Sequence, residues 1–220
     1  MDRFSLTLSH PWHGISPGKD APECVNAFIE IVPSDPVKYE IDKETGHLKV
    51  DRPQKFSNFC PTLYGFVPQT ICRTHVAEYA MRVTGKTNVE GDDDAVDICV
   101  LTERPISHGS VIVRAIPIGG FRMFDGGEAD DKIIAVLESD YVYGNFTNIT
   151  DVPVGIVNRL KHYFLTYKQI PDPGNTHAHT CTISHTYGAE EAREVIRLAM
   201  KDYQEMLANV EATGASTTSR

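Results

Sequence analysis

A change of hydrophobic period about two-thirds of the way along the chain constrains the fold more than any other feature. Up to about residue 150 the apolar residues fall in short runs separated by Gly, Pro and polar turns. These runs are Ala27 to Val32 (closed by Pro33-Ser34-Asp35-Pro36), Val37 to Asp42, His47 to Val50, Ala95 to Leu101, Ser110 to Pro117 and Ile133 to Leu137. Short β-rich runs bounded by turn residues predict strands, and Lys43-Glu44-Thr45-Gly46 joins the second and third as a hairpin. Several short strands at this spacing point to a closed or nearly closed barrel. Then the period lengthens. Ile156, Leu160, Tyr163, Phe164 and Tyr167 recur at helical spacing behind an Asp151 cap, with Pro153 in the first turn. Ala192, Val195, Ile196, Ala199, Tyr203, Met206 and Leu207 mark a second core-facing helix, from about Ala189 to Leu207.

No repeat and no linker divides the chain, so the expectation is one domain over residues 1–210 and a flexible tail over 211–220. The mixed-polarity stretch between Thr70 and Gly91 reads as an insertion or a long hairpin loop. With 41% apolar and 23% charged residues, the 220-residue chain is globular. Lys and Arg less Asp and Glu gives 21 − 30 = −9, the wrong sign for a protein that lives on a nucleic-acid backbone. No apolar run approaches the ~18 residues that would cross a bilayer, and the N-terminal residues lack the apolar core of a secretory signal. Five widely spaced cysteines without a C-x-x-C predict reduced thiols in a cytoplasm.

Chemistry concentrates in two acidic segments. Gly91-Asp92-Asp93-Asp94-Ala95-Val96-Asp97 places four carboxylates just before the apolar run Ile98 to Leu101. Such a cluster repels itself unless cations or water screen it, and hard divalent ions with oxygen ligands resolve the conflict. The glycine and glutamate of an EF-hand loop are missing. Asp125-Gly126-Gly127-Glu128-Ala129-Asp130-Asp131-Lys132 is a second acidic cluster on a glycine turn. Glu30 stands between isoleucines, costly to bury unless paired or beside metal. Lys38 and Glu40 share one strand face. Arg52, Lys132, Lys161 and Lys168 add cations, with Tyr167 beside the last. Carboxylates interleaved with Lys and Arg suit a phosphoryl substrate clamped by ions and bases together. No P-loop and no G-x-S-x-G elbow accompanies them, and Gly119-Gly120 and Gly126-Gly127 read as turns. His177, His179, Cys181 and His185 could form a soft-metal site, although they sit in a polar loop without a supporting pattern.

Taken in order, these residues resemble the soluble family I inorganic pyrophosphatases. The pieces that carry the likeness are Ile29-Glu30-Ile31, Lys38 to Gly46, Val50-Asp51-Arg52, Leu63-Tyr64-Gly65-Phe66, Gly91 to Asp97, Ala129 to Lys132 and His162 to Lys168. The stretch before Gly91 and the phrase Arg52 to Pro61 are most similar to the subgroup of chlamydiae and their relatives. The resemblance implies an α+β, mainly β fold: a five-stranded OB-like closed barrel with two flanking C-terminal helices. It implies hydrolysis of pyrophosphate by a metal-activated water, without a covalent intermediate. Several Mg²⁺ ions, or Mn²⁺ and other divalents, would sit on Asp92, Asp94, Asp97, Asp125 and Asp130. Asp94 would be the general base, with Tyr64 nearby and Glu30 acting through a metal-bound water. Lys38, Arg52, Lys132, Tyr167 and Lys168 would grip the phosphates, with Glu40 in support. A homo-oligomer, with no nucleic-acid or membrane partner, completes the expectation. Where the family usually has glycine, proline, tyrosine and an acid, this chain has Asp93, Ala95, Cys60 and Gly126. Two competing readings are a non-catalytic OB-like module for anions or nucleic acid and a phosphohydrolase for another polyphosphate.

Overall fold

The computed structural model describes residues 9–168 and 181–217. In chain order the elements are β1 (Val25–Ile31), β2 (Val37–Ile41), β3 (Leu48–Pro53), β4 (Leu63–Phe66), α1 (Thr74–Thr84), β5 (Glu90–Gly91), β6 (Asp97–Leu101), β7 (Val111–Asp125), β8 (Glu128–Ala129), β9 (Lys132–Leu137), a short 3-10 turn (Ile149–Asp151), α2 (Val154–Thr166), β10 (Cys181–Gly188) and α3 (Ala189–Thr217). Five of the strands close a ring. β1 pairs with β4, β4 with β6, β6 with β9 in parallel, β9 with β7, and β7 returns to β1. Closure leaves the ring without an unpaired edge. The β2–β3 hairpin is a separate two-stranded sheet.

Why β6 and β9 read as continuous apolar runs follows from what covers them. Ile98, Val100, Ile133 and Ala135 enter a core shared with Val76 and Ala80 of α1 and with Ala192, Val195, Ile196 and Ala199 of α3. Their alternate neighbours Cys99, Leu101, Ile134 and Val136 enter a second core with Leu160, Tyr163 and Phe164 of α2. A strand covered on both faces has no polar side to show.

Several expectations change. The stretch after Thr70 is not a loop: α1 occupies Thr74–Thr84 and packs against α3. Its Val76, Ala77 and Ala80 are buried at helical spacing. Gly119-Gly120 is not a turn but the middle of β7, where a Cβ on Gly120 would stand 2.4 Å from the Tyr187 ring. Gly126-Gly127 is the expected turn, with both φ angles positive. Asp151 does not cap α2; Asn148 caps the preceding 3-10 turn, Asp151 reaches back to the Asn148 amide, and Pro153 stands at the N-cap of α2. Leu207 is exposed rather than in the core, and α3 runs on to Thr217 through part of the segment read as a tail.

Candidate active site

Seven segments bring the chemistry together. β1 supplies Glu30; the β2–β3 hairpin supplies Lys38, Glu40 and Arg52; β4 supplies Tyr64. The β5–β6 connection carries Asp92, Asp94 and Asp97. The end of β7 carries Asp125, the β8–β9 junction Asp130 and Lys132, and the residues just beyond α2 are Tyr167 and Lys168. All of them line one cavity of about 670 Å³. Lys161 does not: its ammonium lies over the Phe121 ring, 5.7 Å from the centroid.

The strand geometry explains the convergence. Asp130 and Lys132 alternate with Asp131, so both face the cavity while Asp131 faces away. The Lys132 ammonium is bonded to Asp97 and to Asp130, and that of Lys168 to Asp125. Lys38 reaches Glu40 at 3.0 Å and Asp51 at 2.8 Å, whereas Asp94 is exposed and paired with Lys43. Glu30 is not an exterior barrel residue. It is buried, and its Oε1 accepts the Ile41 amide at 2.7 Å.

The loop of the first acidic segment is seated on the entry to α1. The Cys72 amide donates to Asp94 O at 2.8 Å, and the Asp93 amide to Cys72 O at 3.1 Å. The approach is close enough that a Cβ on Gly91 would meet Cys72 O at 2.1 Å. Within the loop the Asp94 amide donates to Asp92 Oδ1 at 3.0 Å. Asp93 sits at φ +58° and turns its carboxylate out to Arg73, away from the cavity-lining set.

Electrostatically the cavity is short of cations. Among the described residues its lining holds ten carboxylates (Glu30, Glu40, Asp42, Glu44, Asp92, Asp94, Asp97, Asp125, Glu128, Asp130) against six bases (Lys38, Lys43, Lys49, Arg52, Lys132, Lys168). Burial pushes the Glu30 carboxyl up to about 8 against the pull of the Ile41 amide. Burial, then Asp130 and Asp97, push Asp92 up to about 8. Asp97 is raised by burial despite Lys132. Burial and then Asp97 hold the Tyr64 phenol well above its ordinary range. Lys132 keeps its charge although burial works against it, because Asp130 and Asp97 hold its proton. An oxygen-rich donor set with surplus negative charge and protonation-prone carboxyls fits hard divalent cations.

Sequence reasoning missed part of the lining. Asp42 was legible only as the end of a strand run and Lys43 and Glu44 only as a hairpin turn, although they follow closely on Lys38 and Glu40. Trp12 arrives from the N-terminal arm, held by its indole N–H to Thr70 O at 2.8 Å, and no local pattern points to it. His177 and His179 lie outside the described residues. Cys181 sits opposite Asp125 in the β7–β10 register and donates to its Oδ1 at 3.4 Å, while His185 faces Glu191. Cys60 is buried, which pushes its thiol up to about 12.

Comparison with known proteins gives one answer from three directions. The family model described as Inorganic pyrophosphatase matches residues 27–204. An inorganic pyrophosphatase of Chlamydia muridarum is 51% identical over 204 residues, 92% of this chain and 98% of that protein. Soluble inorganic pyrophosphatase 2 of Chlamydomonas reinhardtii is 39% identical over 205 residues, 93% of this chain and 94% of that protein. The crystal structure of the inorganic pyrophosphatase of Thermus thermophilus superposes with a TM-score of 0.73 at 27% identity, covering 89% of this chain and 99% of that one.

Proposed function

The chain belongs to the inorganic pyrophosphatase family and hydrolyses pyrophosphate to two phosphates, and we propose that it does so by direct attack of a water for which Asp94 is the general base. The observation that supports this most is the gathering, among the described residues, of ten carboxylates and six cations from separate segments around one cavity. Asp92, Asp94, Asp97, Asp125 and Asp130 are the residues that would hold Mg²⁺, with Mn²⁺ an alternative. When bound, the ions supply an acidified water and neutralise charge on the phosphates.

This chain's own groups do the rest. Asp94, the most exposed of the inner acids, accepts the proton of the attacking water at its carboxylate oxygen. Tyr64, held protonated by its surroundings, donates its phenolic hydrogen bond to Asp97, one of the acids that would hold the metal. Glu30, buried in the cavity lining, acts through a water. Lys38, Arg52, Lys132, Tyr167 and Lys168 bind the two phosphate groups, Glu40 orients Lys38, and the cations meet the charge that grows on the leaving phosphate. Among the described residues of the lining no serine or cysteine offers a nucleophile, in keeping with a single displacement. We further propose a homo-oligomer acting in the cytoplasm, with residues 1–210 as one domain; among the described residues no helix is long and apolar enough to cross a membrane.

The test is phosphate release from pyrophosphate with Mg²⁺ and then with excess EDTA. Rapid release abolished by EDTA is expected. EDTA-resistant release would remove the metal from the scheme.

A further inference from the structure

Behind the cavity lies a buried charge cluster that the hydrolytic scheme does not use. Arg122, near the end of β7, is fully buried. Its Nη1 lies 2.8 Å from Asp131 Oδ2, with both side chains inaccessible to solvent, and its Nη2 donates to Glu191 Oε1 at 3.0 Å. The guanidinium also lies near two rings, 5.1 Å from the centroid of Tyr79 in α1 and 5.3 Å from that of Tyr187 in β10. The Tyr187 hydroxyl donates to Asp131 Oδ2 at 3.2 Å. Thus β7, β10, α1, α3 and the link between β8 and β9 all meet at this one cation.

As a source of stability the arrangement is poor. Among the described residues Arg122 Nε and Nη1 and Asp131 Oδ1 are buried without a hydrogen-bond partner, so Arg122 meets Asp131 as an ion pair and not through a hydrogen bond. Buried ion pairs are often no better than apolar residues of the same volume, and incompletely satisfied ones are worse. What such a pair supplies well is a fixed position. Asp131 is the residue between Asp130 and Lys132, and the alternation that sends its side chain to Arg122 sends theirs into the cavity. The backbone is tied at the same level: the Asp130 amide donates to Met123 O at 3.1 Å, and Lys132 stands opposite Phe121, so the residues flanking Arg122 hold those flanking Asp131.

We propose that the Arg122–Asp131 pair is a positioning device that sets Asp130 and Lys132 at the geometry the metal ions and substrate require, and through Tyr79 and Glu191 registers that peptide against α1 and α3. The inference rests on the site assignment above. It predicts that the pair acts on metal affinity and substrate binding, beyond any effect on folding.

The experiment replaces the pair by neutral residues, Arg122→Met with Asp131→Asn, which removes both buried charges of the pair, leaves Glu191 partly exposed to solvent and beside His185, and keeps an acceptor for Tyr187. Folding is followed by far-UV circular dichroism and the thermal midpoint. Mn²⁺ binding is measured by calorimetry without substrate, and kcat and KM are measured separately with Mg²⁺. The expected result is a folded protein with Mn²⁺ affinity about tenfold weaker, the scale of loss when the groups orienting metal ligands are removed. The KM for pyrophosphate is raised by more than kcat falls. A folded double variant with wild-type Mn²⁺ affinity and KM overturns the proposal. If the double variant does not fold, Arg122→Lys, which keeps a charge opposite Asp131 but not the planar fork, is judged by the same two criteria. Asp130→Asn and Lys132→Met serve as benchmarks. If they bind Mn²⁺ and turn over like wild type, the site assignment fails and this proposal with it. If they are impaired while the pair variants are not, the positioning role alone fails.

Discussion

At the scale of single residues, two neighbouring aspartates in one loop have opposite fates. Asp94 faces the cavity and is open to solvent, whereas Asp93 is turned out to Arg73 by a left-handed backbone. Replacing Asp94 by Asn keeps its volume and removes a proton acceptor, so phosphate release should fall by about 10² to 10⁴-fold while the thermal midpoint stays within a few degrees of wild type. Retained activity in a folded Asp94→Asn protein would remove it as the base. Asp93→Gly is the contrasting case. The backbone at φ +58° suits glycine, and the lost Arg73 pair is a solvent-exposed one that contributes little. The Mg²⁺ concentration for half-maximal rate should therefore move by less than about twofold, since an exposed charge turned away from the ions is screened. A larger change in a Mg²⁺ titration would mean that Asp93 reaches the ions after all.

At the scale of elements, α1 begins without a capping side chain of its own, and α3 supplies the missing one. The carboxylate of Asp202 accepts the amides of Arg73, His75 and Val76 at 3.0, 3.0 and 3.2 Å and is itself buried. Asp202→Ala leaves these donors orphaned, a cost of about 2 kcal/mol, and the melting midpoint should drop by about 4–8 °C. An unchanged midpoint in a thermal melt would show that water caps the helix equally well. This dependence on a partner about 130 positions away also explains what the sequence concealed. Val76, Ala77 and Ala80 were visible as residues, yet without a local cap and with His75, Arg82 and Thr84 among them the period did not stand out. β10 was hidden for a similar reason: Cys181 to Gly188 alternates weakly, with only Cys181 and Tyr187 buried, and is held by long-range pairing to β7. β6 and β9 were legible because both faces are covered, so their apolar runs were unbroken, whereas the four-residue β4 was too short to stand out as a run. The carboxylates were legible because each interrupts or abuts such a run. Arg122 and Asp131 were not, since nothing local says that a charge in one strand meets its counter-charge in another.

At the scale of the whole molecule, the surplus of carboxylates around the cavity links metal binding to protons and to stability. Glu30 and Asp92, ordinarily near 4.5 and 3.8, are both pushed up to about 8 in the folded chain, chiefly by burial. A group whose folded value is raised holds extra protons in the native state, so its stabilising contribution is complete below the unfolded value and is lost as pH climbs through the folded one. Acids shifted the other way, such as Asp140 and Asp151, which accept backbone amides, contribute fully once pH exceeds the ordinary carboxylate range. They do not offset the loss in that window. The metal-free protein in EDTA should therefore melt progressively lower as pH is raised from about 5 to about 8. Mg²⁺ reverses the trend because it binds only the deprotonated carboxylates, so its apparent affinity should rise over the same interval and its binding should release protons. Calorimetric titration at pH 7 in two buffers of different ionisation enthalpy reads that release directly. Equal heats in the two buffers, or a melting midpoint in EDTA that rises from pH 6 to pH 8, would mean that these carboxyls are already ionised and that the cavity tolerates its excess charge without the cations.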